Sequence, residues 1–497
     1  MNARKLSMLL AAILCLSAAA SCGGETSADT TSANIAGDTT PVVTNAVDSR
    51  AAISDELGVF DFGGKEYRIV VCDYLENFTD IEEATGDVVD DAIFSRNNRI
   101  EERFNCKIVN THVAHYTDVM TWIINQVTSG DDSFDITYEH VVRLGEMVPG
   151  GYFLNWHDIP HIDFEKPWWS DSNINDLTYQ DTAFIAIGDF CLSSVGRTYC
   201  VFYNSTKGAE FNLPDMFELV NTGKWTFDKS LELSRDIYKD LNGNNEQDNE
   251  DFWGYVSSPQ SNVNTYFWAF GEKILTVDGD EIVNSYKSEK LNDIVTRLCD
   301  AFWGGGIRTD VNYMSRSENK VNSHNYAWEL FQNAQAVFAN GTINYSIEKF
   351  RDLKDDFSIL PYPKYNEQQK DYITMVDGGH GALAVPKTIA DPEFVGVITE
   401  ALNAESFKTV LPVYYDVALK VKGTRDEASM EMLDMIVSSR VFDMGYVYDA
   451  WKGCSFVLQR LVIANDPNFE SYWAANSNAI LKYYDDLAEF FIEESQS

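Results

Sequence analysis

Between Lys65 and Tyr138 strand-like and helix-like stretches alternate, and that alternation limits what the chain can fold into. Lys65–Cys72 is β-branched and reads as a strand opening a folded body. Residues 87–104 read as a helix, with Val89, Ile93, Ile100 and Phe104 on one face and Asp90, Arg96, Asn97 and Glu101 among the polar positions. Cys106–Val113 is a second strand. Residues 116–127 carry Tyr116, Val119, Met120, Ile123, Ile124 and Val127 at helical spacing, and residues 134–138 form a third strand. Strand, helix, strand, helix, strand is the rhythm of a mostly parallel sheet, so the fold class is α/β.

Further elements follow along the chain. Residues 156–179 are a loop rich in aromatic and acidic residues, 182–188 and 195–203 are apolar and strand-like, and 224–228 lead into a helix that runs through about Leu241. Helices are expected at Glu289–Trp303 and 326–333, and strands at 336–341, 357–361 and 381–385. Asp391 and Pro392 suit the cap and first turn of a helix. From Ser406 onward the pattern is helical. There is no internal repeat.

The first 22 residues have a different character. Arg4 and Lys5 precede an apolar run, Leu6 to Leu16, too short to span a bilayer. Ala19, Ala20 and Ser21 then lead into Cys22. This resembles a bacterial lipoprotein signal, with cleavage before Cys22 and lipid on its sulfur, although Ala19 stands where such signals more often carry Leu. Residues 22–57 are rich in Gly, Ser, Thr, Ala and Asp, a composition that cannot bury enough surface to fold and reads as a tether. The body after it, about 440 residues, exceeds what one core usually supports, so two lobes are expected. No later run approaches the length of a membrane span.

The net charge is −39, and cleavage of the leader with Arg4 and Lys5 would take it to −41. Such a charge argues against nucleic acid and polyanionic partners. Beyond Cys15 and Cys22 the cysteines are Cys72, Cys106, Cys191, Cys200, Cys299 and Cys454, with no metal-ligand spacing. Cys72 and Cys106 lie in apolar strand-like runs, which reads as buried thiols, while Cys191 and Cys200 leave pairing open. There is no HExxH, GxSxG, phosphate-binding loop or dinucleotide fingerprint.

Four stretches behind this leader carry a resemblance: GDVVDDAI at 86–93 running on to RIEERF at 99–104; FYN at 202–204 followed by GKWTFD at 223–228; FSILPYPKY at 357–365; and AVPKT at 384–388. Together they resemble the extracellular solute-binding lipoproteins of bacterial ABC importers, the large sugar-binding type. The resemblance implies a two-lobe periplasmic-binding-protein-like fold with a hinge and an interlobe cleft, lobe one being 58–190 plus 358–405 and lobe two 191–357 plus 406–497. It implies a monomer, not an enzyme, held by lipid on the extracellular face of the plasma membrane. Such a protein passes a solute, a carbohydrate or oligosaccharide, to the transmembrane subunits of an ABC permease, with no nucleic-acid partner and no required cofactor.

A sugar cleft needs aromatic platforms with carboxylate and amide partners. The candidates are Trp168, Trp169 and Asp171, of which one Trp packs inward and the other faces the cleft; Tyr203 and Asn204 beside the first crossing; Asn340 at a strand end; His380 in GGHG, either near a ligand or solvated in a tight turn; and Trp451. Trp225, Trp268, Trp303 and Trp328 read as core. Residues 240–251 place Asp240, Asn242, Asn244, Glu246, Asp248 and Asp251 at the spacing of a calcium loop, with Asn245 where Gly is usual and Asp251 where Glu is usual. Structural calcium is the reading there. A glycan-active enzyme using the same aromatics, or a peptide-binding or sensing lipoprotein with Arg197 as charge partner, are the alternatives.

Overall fold

The structure, a computed structural model, describes residues 50–75, 78–278, 281–309, 323–419 and 427–496. Cys22 and the leader lie outside the described residues. Two sheets organise the chain. Their strands are β1 (Lys65–Cys72), β2 (Cys106–Val113), β3 (Ile136–His140), β4 (Tyr199–Asn204), β5 (Tyr238–Lys239), β6 (Phe252–Val256), β7 (Ala336–Thr342), β8 (Phe357–Leu360) and β9 (Gly381–Ala384).

The first sheet has the order β9-β3-β1-β2. β1 runs parallel to β2 in register from Lys65↔Cys106 to Cys72↔Val113, and parallel to β3. β9 returns antiparallel to β3, with Gly381 opposite His140. The helices Val88–Phe104 and Tyr116–Ser129 are the crossovers. Asp87 caps the first, its carboxylate accepting from Val89 and Asp90 N–H. That helix buries its predicted apolar face and also Arg96, which donates to the carbonyls of Phe78 and Thr79 and to Ser406 Oγ.

The second sheet has the order β8-β4-β7-β6-β5. β4 is antiparallel to both neighbours, and β6 is parallel to β7. The chain enters this sheet after the short helix Ser193–Gly196, leaves it after β8 and reaches β9 through residues 361–380. The sequence reading set a boundary at 358; the pairing of β8 with β4 puts residues 357–360 with the second sheet. Helix Pro392–Glu405 runs through a π turn, Ser406–Val410, into Leu411–Leu419. This continuation packs back against helix Val88–Phe104, because Val410, Leu411 and Tyr414 complete an apolar cluster with Val89, Ile93, Leu192 and Val195.

Local departures from the sequence reading have local causes. The helix expected through Leu241 ends at Ser234, and Tyr238–Lys239 pairs with β6 instead. Residues 182–188 make only single bridges, Thr182 with Tyr179, Ala186 with Leu383 and Gly188 with Trp169. Residues 156–179 hold a 3₁₀ turn at Trp156–Asp158 and a helix at Asp171–Leu177. The six body cysteines are buried and unbridged, Cys191 and Cys200 included.

Candidate functional site

The carboxyl ends of β1, β2 and β3 point to one place, where a parallel sheet leaves its ligand space. Tyr74 stands two residues past β1, His115 and Tyr116 follow β2, and His140 ends β3. Arg143 lies in the first turn of helix Val141–Met147. From the two crossings come Arg197, just before β4, and residues 377–380, just before β9. The crossings are tied together: Val376 bridges Thr198, Asp377 N–H donates to Arg197 O at 2.9 Å, and Thr374 Oγ1 donates to Tyr199 O at 2.7 Å.

These residues form an aromatic and cationic cluster. The Tyr74 ring meets Tyr116 at 5.6 Å and His140 at 5.1 Å, both edge to face, and Tyr116 stacks on His140 at 5.1 Å. The Arg143 guanidinium lies 4.7 Å from the Tyr116 ring centre and 5.6 Å from that of Trp451, and Arg197 lies 5.9 Å from Tyr74. Tyr74 is 53% exposed and Trp451 54%, His115 is exposed too, and Tyr116, Arg143 and Arg197 are half-buried, so the cluster opens to solvent. Ala450 and Trp451 have φ of 47° and 63°, left-handed values unusual for such residues, and Trp451 stacks on Phe456 at 4.2 Å.

The charges are matched. Arg143 pairs with Glu146 at 2.7 Å. Asp377 accepts from Tyr199 O–H at 2.5 Å and from Gly379 N–H at 2.9 Å. Burial alone would push its carboxyl up, but Arg197 and these donors hold it below the ordinary value. Burial, with Arg197 beside it, depresses His140 to about 3, so its imidazole is neutral at physiological pH. Glu139, one residue back, is fully buried with one oxygen accepting from His140 N–H at 2.7 Å; burial raises its carboxyl to about 8.

A cavity of about 450 Å³ adjoins the cluster at Gly196, whose neighbour is Arg197. Phe78, Asp87 and Val89 line it on one side, Asn344, Glu348 and Tyr414 on the other. Its size falls within the range of small-ligand sites.

The sequence candidates fall in several places. Trp451 belongs to the cluster. Trp168 and Trp169 are both buried, so neither offers a ring to a cleft: their indole N–H groups donate to the two carboxylate oxygens of Glu400 at 2.8 and 2.9 Å. The Asp171 side chain lies outside the described residues. Tyr203 is buried and stacks on Phe338 at 5.2 Å. Asn204 is buried as the cap of helix Ser205–Glu210, accepting from Lys207 N–H at 2.8 Å and donating to Asp355. Asn340 is buried between Tyr255 and Tyr266. His380 is buried rather than solvated, with Nδ1 2.9 Å from Gly381 O, and burial lowers it to about 4. Trp225 and Trp268 are core, as read; Trp303 is 43% exposed.

In the 240–251 loop, Asp240 accepts from Gly243 and Asn245 N–H, and Asp248 from the Asn242 and Asn244 amides. Asn244 accepts from Glu246 N–H, and Asp251 takes Leu241 and Asp248 N–H and the Tyr238 hydroxyl. Among the described residues no group of three or more His, Cys, Asp or Glu is arranged to hold a metal ion.

No protein-family model and no curated protein matches the sequence. Solved structures do match the fold. An ABC substrate-binding protein from Listeria monocytogenes, in complex with cycloalternan, is 13% identical with a TM-score of 0.53, over 85% of this chain and 99% of that one. A sugar transporter from Rhizobium etli in an open conformation is 15% identical, TM-score 0.53, over 86% and 99%. The chain has the two-lobe α/β fold of the periplasmic-binding-protein type. A maltose/maltodextrin-binding domain from Bdellovibrio bacteriovorus bound to maltotriose, 14% identical with a TM-score of 0.51, covers 87% of this chain and 98% of its own. Within this two-lobe fold the cluster joins the carboxyl ends of the first sheet's strands to both crossings, and the cavity lies beside the first crossing, at Ser193 and Gly196.

Proposed function

We propose that the chain is the substrate-binding component of an ABC importer, capturing a carbohydrate or oligosaccharide between its two sheets and delivering it to a membrane permease. The observation that carries this is the joint origin of the site. Tyr74, Tyr116 and His140 come from the first sheet and Arg197 and Asp377 from the crossings, with exposed aromatic surface at Tyr74 and Trp451. A ligand held there contacts both lobes only when they approach, so its binding energy shifts the population toward a closed form. Solved proteins of this fold carrying cycloalternan and maltotriose support the sugar reading. The chain is read as a binding protein, not an enzyme. Glycoside hydrolysis needs two carboxyl groups flanking one bond; here Asp377 and Glu146 are engaged with Arg197 and Arg143, and Glu139 is fully buried. Arg197, matched by Asp377, is less suited to a peptide carboxylate than an unmatched cation would be.

The test is a thermal-shift screen of the full chain against mono- and oligosaccharides, amino acids and short peptides. A ligand at a hundred times its Kd adds about 2.7 kcal/mol of stability. A shift with a glycan and no product formed is expected; shifts with peptides alone, or glycan turnover, would overturn the reading. Among the described residues no helix is long and apolar enough to cross a membrane. Lipidation at Cys22 is the proposed attachment, tested by labelling with a palmitate analogue in cells, which Cys22→Ser should abolish. Calcium at residues 240–251 stays a separate proposal: a thermal shift with calcium that Asp240→Ala removes supports it, and no shift retires it.

A further inference from the structure

Three polar groups converge over the backbone of Gly379. A Cβ placed there would lie 2.9 Å from Asp377 Oδ1, 3.0 Å from Arg197 Nη1 and 3.3 Å from His140 Cε1. Only glycine leaves this point open without displacing one of the three. His140 is 8% exposed, its ring is held between Tyr74 and Tyr116, and its Nε2 has no hydrogen-bond partner among the described residues. A buried nitrogen without a partner costs stability unless something supplies one. Its neighbours are an acceptor, Asp377, and a donor, Arg197, the pairing that suits a hydroxyl able both to give and to take a hydrogen bond.

We propose that Asp377, Arg197 and His140 form a polar subsite for the hydroxyl groups of an uncharged saccharide, with His140 Nε2 bonding one hydroxyl directly. This rests on the carbohydrate reading above and narrows it. The charge matching supplies the selectivity. A uronate or sulfated sugar would bring its anion against Asp377, and an amino sugar would bring its ammonium against Arg197; Arg143 is already taken up by Glu146. A neutral imidazole adds no charge of its own. A neutral hydroxyl pair meets no like charge. Tyr74 and Trp451, exposed beside the subsite, offer ring faces to the sugar's C–H surface.

The experiment uses the full chain with three panels: neutral malto-, xylo- and galacto-oligosaccharides, oligouronates, and glucosamine oligomers. The neutral ligand giving the largest thermal shift is then titrated into wild type, His140→Phe and His140→Gln. Phe keeps the ring between the two tyrosines and removes the nitrogen. The proposal expects a neutral glycan to bind best, Kd to rise at least tenfold in H140F, and H140Q to recover part of the loss. Preference for uronates or glucosamine oligomers, or an unchanged Kd in H140F, would overturn it while leaving the carbohydrate reading intact. No shift with any glycan would instead overturn that underlying reading. Should H140F fold poorly, ¹⁵N-histidine spectra of the wild type decide: a His140 Nε2 resonance that moves on saturation with the neutral glycan supports the subsite, and one that stays fixed overturns it.

Discussion

Glu400 is the residue on which the two adjacent tryptophans depend. Its carboxylate accepts both indole N–H groups, and burial raises it to about 7 despite those donors. A carboxyl raised in the folded state binds its proton more tightly there than in the unfolded chain. Its contribution is therefore full below about pH 4.5 and is lost as the pH rises through about 7. Glu400→Gln removes that titration, so the stability of wild type relative to E400Q should fall by about 2–3 kcal/mol between pH 4.5 and 7.5, read by urea unfolding. A difference that stays constant with pH would contradict the assignment. The tryptophans show what residue type alone conveys. Two adjacent Trp in a polar stretch announce importance, but nothing in the local sequence reveals a carboxylate from a helix more than two hundred residues away. Asn204 and Asn340 were visible as polar residues at strand ends, and their partners Asp355, Tyr255 and Tyr266 were not. His140 and Tyr74 carried a weak signal, since each sits at or just past the carboxyl end of a strand in a parallel unit.

At the scale of elements, helix Pro392–Glu405 was legible and its neighbours were not. Asp391 caps it as read, accepting from Phe394 N–H at 3.1 Å. The helix holds Glu400 against the tryptophans only because it approaches residue 160 closely: a Cβ on Gly396 would lie 1.8 Å from Pro160 O. Replacing a mid-helix glycine by alanine ordinarily stabilises by about 1 kcal/mol. Here Gly396→Ala should destabilise by about 1–3 kcal/mol through overpacking, measured as a lowered thermal midpoint; a raised midpoint would show that the contact gives way. The opening strand–helix alternation was readable because local periodicity fixes it. Strand β6 is not legible in the sequence because its parallel partner, β7, lies some eighty residues further on, and the helix expected through Leu241 stops short because Tyr238–Lys239 pairs with β6 instead. The short runs at 336–341, 357–361 and 381–385 were found as strands, and their sheet membership came only with the pairing.

For the whole molecule, two sheets joined by repeated crossings place one polar and aromatic site at the carboxyl end of the first sheet, beside both crossings. The sequence implied this arrangement through scattered short resemblances and a count of residues too large for one core. Which residues meet at the crossings followed from the fold: Arg197 and Asp377 are linked by a backbone hydrogen bond across a wide sequence separation. The central claim is that a glycan is held at this junction. Amide hydrogen exchange of the full chain with and without a saturating neutral oligosaccharide tests it most directly. The account predicts slowed exchange at residues 73–75, 140–143, 196–199 and 376–380, from both sheets' side of the junction at once. Protection confined to one sheet, or appearing only elsewhere in the chain, would contradict it.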